Sequence, residues 1–506
     1  MLMDNIADWV IIGFAFILAA IAVAVVVMYI HDITQTSHAI RRNYPVIGRM
    51  RYRFERLGEY FRQYFFAQDR EEQPFNRAAR AWIYRTAKGL GGLVGFGSTN
   101  DMQSNGSVIF VNSSFPLLEE EKTPPPAIEI GPHCEYPFLA KNVFNLSGMS
   151  FGAISKPAVR ALSKGAAEAG IWMNTGEGGL SPYHEEFGPD IIYQVGTAKY
   201  GVRDDQGNLD PNKLVEIGKR VKAFEIKLSQ GAKPGRGGVL PAKKVTEEIA
   251  LIRGIPAGQM SSSPNRHRDI RNIDELLGMV RLIRELTGRP VGFKAVFGSE
   301  EFPRELCEAI HKHGIDSAPD FITVDGGEGG TGAAPQVLID HVGLSLKESL
   351  PIVVDTLAAY GLRERIKVIA SGKMVTSGNV AWALCMGADF AVTARGFMFA
   401  LGCIQSLHCH SDTCPTGITT HNKRLQKGLV VEDKGKRVAR YAHWVNHEVN
   451  VIAQSCGLSN ASEFRRKHIR IVQKPGYSVS LDTLYPEIEN NPLDAAKALE
   501  KHRARS

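Results

Sequence analysis

Seven cysteines in 506 residues are too few to staple a chain of this length, so a disulfide-built scaffold is excluded. No Gly-X-Y period and no internal repeat is present, which excludes collagen-like and solenoid chains. Charge of either sign is not in large excess: 60 Lys+Arg against 53 Asp+Glu leaves +7, too little at this size to imply a nucleic-acid partner. What is present is ordinary globular usage, 44% hydrophobic and 22% charged, which supports a buried core and excludes global disorder. The length suits about three domains, or fewer if one is an α/β barrel of about 250 residues. Glycine is abundant, at 50 residues. Most fall in short clusters, the pattern of loops whose backbone approaches a ligand closely.

One long apolar run stands near the start. Trp9 to Ile30 is 22 residues without a formal charge, longer than a signal-peptide core and enough to cross a bilayer as a helix. Only Asp4 and Asp8 precede it, whereas Arg41, Arg42, Arg49, Arg51, Arg53 and Arg56 follow. The positive-inside rule then puts the N-terminus outside and everything after residue 31 in the cytoplasm, as a single-pass membrane protein. Residues 32–126 form a basic, aromatic-rich extension of helix and loop (Tyr44, Tyr52, Phe54, Tyr60, Phe61, Tyr64, Phe65, Phe66), expected to lie on the membrane or on the main domain. Gly89–Gly97 reads as a loop, and Pro124–Pro126 as a stiff connection into the main domain.

From about residue 140, short apolar runs alternate with helical stretches. Candidate strands are Phe144–Gly148, Ile171–Thr175, Ala223–Leu228, Gly258–Ser262, Pro290–Val296, Asp320–Asp325, Ile366–Ser371 and Asp389–Thr393. Their continuous β-branched character suits parallel strands buried on both faces. Ser155 with Pro157 opens a helix that reaches Ala169, and Thr376 or Ser377 opens one that reaches Met386. Eight such units predict an α/β (β/α)₈ barrel over residues 127–460, followed by a helical tail over 461–506.

Function in such a barrel sits at the C-terminal strand ends, and the glycine and polar clusters fall there. Three of them follow the last three strands: Asp325 to Pro335 with Gly329, Gly330 and Thr331; Ser371-Gly372-Lys373; and Ala394-Arg395-Gly396. Convergent backbone N–H groups there would hold a phosphate-bearing cofactor. Lys227 and Lys294 interrupt apolar strands, where either would stabilise a reduced, anionic ring. Asn174 and Gln230 offer amide groups to a ring edge, and Glu177 lies on a loop with reach to a substrate nitrogen. Cys403, Cys409 and Cys414 are spaced Cys-x5-Cys-x4-Cys. Clustered thiolates suggest metal: zinc with His408 or His410 as the fourth ligand, or an iron–sulfur cluster on three protein ligands. Cys134, Cys307, Cys385 and Cys456 read as dispersed core thiols.

The motifs GMSFGAIS (148–155), NTGEGG (174–179), EIKLSQGAKPGRGG (225–238), EGGTGAAP (328–335) and ALGCIQSLHCHSDTCPTG (400–417) resemble the FMN-binding synthase domain of glutamate synthase, and most of all the short, membrane-anchored bacterial members of that family. The resemblance implies FMN at the barrel mouth. Gly148, Met149 and Ser150 would pass under the ring; Asn174, Lys227, Gln230 and Lys294 would contact the flavin or 2-oxoglutarate; Glu177 would face the imine carbon and nitrogen. Gly329, Gly330, Thr331, Gly372, Lys373, Gly396 and Phe397 would cradle the phosphate, beside Asp325, Ser371 and Arg395. Glu177, Lys227 and Gln230 are the implied catalytic residues, and the three cysteines the implied ligands of a [3Fe-4S] cluster.

Departures from the family pattern set further expectations. A membrane span stands where glutamine-dependent enzymes have an amidotransferase domain, so ammonia would come from solution or from a separate amidotransferase subunit. Arg236 and the Arg266-His267-Arg268 run differ from the long enzymes and are expected where the dicarboxylate binds. The implied reaction is reductive amination of 2-oxoglutarate, through 2-iminoglutarate, to glutamate, with electrons from ferredoxin or a similar carrier. The alternatives are an FMN dehydrogenase of another amino or imino acid and a membrane-attached electron-transfer subunit. No nucleic-acid partner is expected, and homo-oligomerisation is left open.

Overall fold

The computed structural model describes residues 2–488, in two compact units that divide at Ala78/Ala79. The boundary therefore falls inside the expected 32–126 extension rather than at either end of it. The first unit holds the apolar helix Leu2–Thr34, two helices over Ala39–Asn43 and Gly48–Phe61, and a π-helical turn over Arg62–Phe66. Asp8–Thr34 is long and apolar enough to cross a membrane, and none of its most apolar stretch is buried.

The second unit is a closed barrel of eight parallel strands. They are β1 (Phe144–Leu146), β2 (Met173–Asn174), β3 (Ile191–Val195), β4 (Ala223–Lys227), β5 (Val291–Ala295), β6 (Phe321–Asp325), β7 (Lys367–Ser371) and β8 (Phe390–Thr393). β8 closes on β1 with Val392 opposite Asn145. Helix Lys156–Ala169 starts where expected: the Ser155 hydroxyl accepts from the Ala158 N–H, Pro157 stands in the first turn, and Gly170 ends it in the left-handed region. Ser377–Met386 likewise ends at Gly387. The hairpin Ile128–Ile130/Phe138–Ala140 puts Ile130 and Phe138 against Trp172, Phe321 and Phe390, filling the barrel's lower end.

Two expectations are corrected. Gly258–Ser262 is not a barrel strand; only Ser261–Ser262 is extended, and it pairs antiparallel with Val239–Leu240 in the long segment between β4 and β5. The strand that takes its place in the count is β3, and Ala223–Leu228 is therefore the fourth strand. β3 contains Gln194, whose amide breaks the apolar run yet is satisfied inside the barrel by Glu225. The C-terminal segment is also not purely helical. Ile469–Lys474 pairs with Tyr477–Ser480 and with Val108–Phe110, its Ile469 and Val472 buried and its polar residues outward. Residues 489–506 of that expected tail lie outside the described residues.

Candidate active site

A cavity of about 450 Å³ opens at the C-terminal ends of the strands. Its lining draws on every expected cluster: Gly148, Met149 and Ser150 after β1, Glu177 after β2, Lys227 and Gln230 at β4, Lys294 on β5, Asp325, Gly329, Gly330 and Thr331 at β6, Ser371, Gly372 and Lys373 at β7, and Arg395 after β8.

Two ion pairs organise its floor. The Lys227 ammonium lies 3.2 Å from Glu177 Oε2 and donates to Gln230 Oε1 at 2.6 Å. Gln230 in turn donates from Nε2 to the Gly330 carbonyl at 2.8 Å, so the loops after β4 and β6 are tied across the cavity. The Lys294 ammonium lies 3.1 Å from Asp325 Oδ2, and the same carboxylate accepts from Ser371 Oγ at 2.8 Å and from the Gly231 N–H at 2.9 Å. Gly231 sits flat against the loop after β6: a Cβ there would come within 2.6 Å of Gly329 Cα. Burial works to lower the Lys294 pKa, but Asp325 and Glu225 outweigh it and raise it, so the ammonium stays charged.

Glu177 lines the wall and faces several cations. Burial works to raise its pKa; Lys227 and Lys233, with Arg253 further off, outweigh that and lower it. Lys233 is buried and its pKa lowered by burial and by Lys227. Arg253 is buried over the Tyr200 ring at 5.0 Å, and its Nε has no hydrogen-bond partner. Lys233, Arg253, Lys244 and Gln194 all line the cavity, and none was singled out from the sequence. Lys244, Lys233 and Arg253 sit in a segment without strand periodicity, so nothing local marks them as buried.

At the opposite wall, burial lowers the pKa of Arg395 to about 10 and lowers that of Lys373. Arg395 Nη2 donates to the Glu328 carbonyl at 2.8 Å. An anion placed against these two cations, among the backbone N–H groups of 330–331 and 372–373, would offset the cost of burying them. The chemistry of this donor set therefore fits the phosphate of FMN.

Some expected residues are placed elsewhere. Asn174 does not reach the cavity: its Nδ2 donates to Glu225 at 2.9 Å and its Oδ1 accepts from the Gly176 N–H at 2.9 Å. Glu225 also accepts from Gln194 and, at 2.7 Å, from Thr323, so Asn174 belongs to a buried network beneath the floor. Gly396 and Phe397 are core residues. The Phe397 ring stacks 5.4 Å from Phe144 and meets Tyr441 edge-on at 5.1 Å, while a Cβ on Gly396 would collide with the Tyr441 hydroxyl. Arg236 is exposed, Arg266 donates to the His267 carbonyl at 2.8 Å, and buried His267 donates to the Lys227 carbonyl at 3.0 Å. None of them lines the cavity, nor does Arg268, so the departures from the family pattern do not fall on its wall.

The three cysteines share the loop after helix Arg395–Leu401. Cys409 lines the cavity; Cys403 Sγ accepts from the Gln405 N–H at 3.4 Å; Cys414 Sγ lies 3.4 Å from Thr416 Oγ1. Among the described residues no three His, Cys, Asp or Glu side chains are gathered as a metal-ligand set. The Lys244 ammonium donates to the carbonyls of Cys409 at 3.1 Å and Thr419 at 2.7 Å, joining this loop to the cavity wall.

Fold and cavity together define a parallel eight-stranded barrel with a cation-lined cavity at the C-terminal ends of its strands, the place where enzymes of this fold class carry their chemistry. Residues 103–459 match the family described as the conserved region in glutamate synthase. The chain is 40% identical over 514 residues to the glutamate synthase large subunit-like protein YerD of Bacillus subtilis, covering 93% of this chain and 97% of that one. It is 36% identical over 328 residues to the archaeal glutamate synthase (NADPH) of Methanocaldococcus jannaschii, covering 64% of this chain and 61% of that one. Among solved structures, a mandelate oxidase with benzoyl-formic acid is 16% identical, with a TM-score of 0.45, over 78% of this chain and 98% of that one. The chain belongs to the glutamate synthase family: it carries the FMN-binding synthase domain and is an oxidoreductase of the class that acts on CH–NH2 groups.

Proposed function

We propose that this protein reductively aminates 2-oxoglutarate, through 2-iminoglutarate, to glutamate, with electrons from ferredoxin or a similar one-electron carrier. The observation that carries the reading is Glu177, held on the cavity wall 3.2 Å from Lys227 and facing Lys233 and Arg253. FMN, when bound, supplies the hydride. Gly329–Thr331, Ser371–Lys373 and Arg395 would hold its phosphate, and Gly148–Ser150 with Lys294 would border its ring.

Two carboxylates of a 2-oxo diacid would be met by the cations Lys227, Lys233 and Arg253. Condensation with ammonia releases water and leaves a C=N bond. An ionised Glu177 accepts a hydrogen bond from the nitrogen and favours its protonated, iminium form, in which the carbon is the better hydride acceptor. When hydride adds at that carbon, the nitrogen keeps its protons and the product leaves as an amino acid. Lys227 fixes the Glu177 carboxylate throughout. The placement of Arg236 and Arg266–Arg268 away from the wall favours this reading over a dehydrogenase of a different amino acid.

A [3Fe-4S] cluster on Cys403, Cys409 and Cys414 belongs to the proposal on the chemistry of three soft thiols in one short loop. So does a single-pass location, with Asp8–Thr34 in the membrane and the barrel in the cytoplasm. Anaerobic turnover with reduced ferredoxin, ammonia and a series of 2-oxo acids tests the activity. Glutamate from 2-oxoglutarate is expected; preference for another 2-oxo acid, or flavin reduction that no acid reverses, overturns it. Metal analysis tests the cluster: roughly three irons per chain are expected, and one zinc without iron overturns it.

A further inference from the structure

Residues 47–66 carry an apolar stripe that neither the barrel chemistry nor the span accounts for. Along helix Gly48–Phe61 and the π-turn that extends it, Ile47, Met50, Phe54, Leu57, Phe61 and Phe65 recur at steps of three and four and so share one face. All six are exposed, Phe54 at 60% and Phe65 at 74%. At helical spacing Arg51 and Arg62 fall along one edge of the stripe, and Arg53, Tyr60 and Tyr64 along the other. Apolar residues flanked on both sides by arginine and tyrosine match a headgroup boundary: the rings enter the acyl region while the guanidinium groups reach lipid phosphate.

A second observation fixes where this stripe lies. Asp32, the last acidic residue of the span helix, is fully buried. Arg49, in the first turn of the amphipathic helix, donates to it from Nε at 2.7 Å, and the Val46 N–H donates to it at 3.0 Å. Arg49 Nη2 also reaches the Met28 carbonyl at 3.5 Å. The end of the span and the start of the amphipathic helix are thus clamped together by a charged, double-sided contact. The stripe therefore begins beside the C-terminal end of Asp8–Thr34.

We infer that residues 44–66 are a second membrane element, an interfacial helix lying in the headgroup layer of an anionic bilayer and oriented by the Asp32–Arg49 clamp. The inference rests on the membrane location proposed above and extends it. Its occupant is lipid rather than a second copy of the chain, because Arg51, Arg53 and Arg62 against Glu55 alone leave the border of the stripe net positive, and two copies would bring those charges together.

The test uses full-length protein reconstituted into vesicles of phosphatidylcholine, alone or with phosphatidylglycerol, and labelled by a bilayer-soluble diazirine read by peptide mass spectrometry. Label on Phe54, Phe61 and Phe65 is expected together with label in residues 9–30, and the former should rise several-fold with the anionic lipid. Label in 9–30 with none over 47–66 overturns the interfacial helix while leaving the span. No label in either region overturns the membrane location itself, and with it the inference. Equal label over 47–66 in both lipids removes the anionic preference and so the role given to Arg51, Arg53 and Arg62. Cross-links from Phe61 to another copy, or to the barrel unit, would give the stripe a protein partner and overturn the assignment. A Phe54→Ser, Phe61→Ser, Phe65→Ser variant should lose label over 47–66 while retaining flavin and label in 9–30; unchanged labelling of its 47–66 peptides overturns the role of the stripe.

Discussion

Lys227 and Lys294 stand directly opposite each other in the β4–β5 register, yet their ammonium groups turn to different carboxylates: Lys227 to Glu177 at 3.2 Å and Lys294 to Asp325 at 3.1 Å. Two like charges side by side at a barrel mouth repel unless each has its own counter-charge. On the proposed function, the division separates a substrate side, where the carboxylate faces the cavity among several cations, from a cofactor side, where it is consumed by Ser371 and Gly231.

Lys294→Met should destabilise the barrel by about 3–5 kcal/mol, the usual cost of leaving a buried carboxylate without its cation. Lys294→Met with Asp325→Asn should recover much of that loss in urea denaturation. Because the Lys294 pKa is raised, its contribution is present below the ordinary lysine value of 10.5 and is lost only as pH climbs past it. A single variant as stable as the parent protein would show that the pair is not buried as described.

Glu177→Gln should slow substrate-dependent reoxidation of the flavin by about a hundredfold or more, the range for losing a positioned acid–base group. Flavin content should be unchanged, because the Glu177 contacts lie with Lys227, Lys233 and Arg253 rather than on the phosphate wall. Rapid-mixing absorbance separates the two. Normal reoxidation would mean that Glu177 only braces Lys227.

Gly330→Asp should abolish flavin retention. A Cβ at this position already comes within 2.7 Å of Arg395 Nε, and the added carboxylate would take the guanidinium from the phosphate and repel the latter. Gel-filtered protein should be colourless where the parent is yellow, and heating the parent should release FMN. FMN retained at full stoichiometry would displace the phosphate from this wall.

Acid should destabilise the protein between about pH 6.5 and 4. Burial depresses both His184 and His267 to about 4, whereas an unfolded histidine titrates near 6.5. As pH falls through that window the unfolded chain takes up protons that the folded chain refuses, so stability drops. Urea midpoints across the window should show the slope, and His267→Gln should flatten it. A midpoint independent of pH there would place these rings in contact with water.

The amino-acid sequence by itself determined the barrel, most of its strands and the order of its glycine-rich loops. These rest on local signals: β-branched runs, Ser155 and Pro157 at a helix start, and glycines where loops approach a ligand. The family motifs carried Glu177, Lys227 and Gln230 to the cavity for the same reason, since each lies within a few residues of a strand end. The remaining features depend on partners far away in the chain. Gln194 hides a barrel strand because its amide is satisfied by Glu225, 31 positions along. Asn174, in the same motif as Glu177, points away because that same Glu225 claims its Nδ2. Phe397 lies between the cavity residues Arg395 and Met398 but is drawn into the ring cluster of Phe144 and Tyr441. Lys233, Lys244 and Arg253 become cavity cations only when the segment between β4 and β5 folds over the barrel mouth. Sequence spacing places residues on elements; which face of a cavity each meets is settled by the hydrogen bonds and packing that long-range closure makes available.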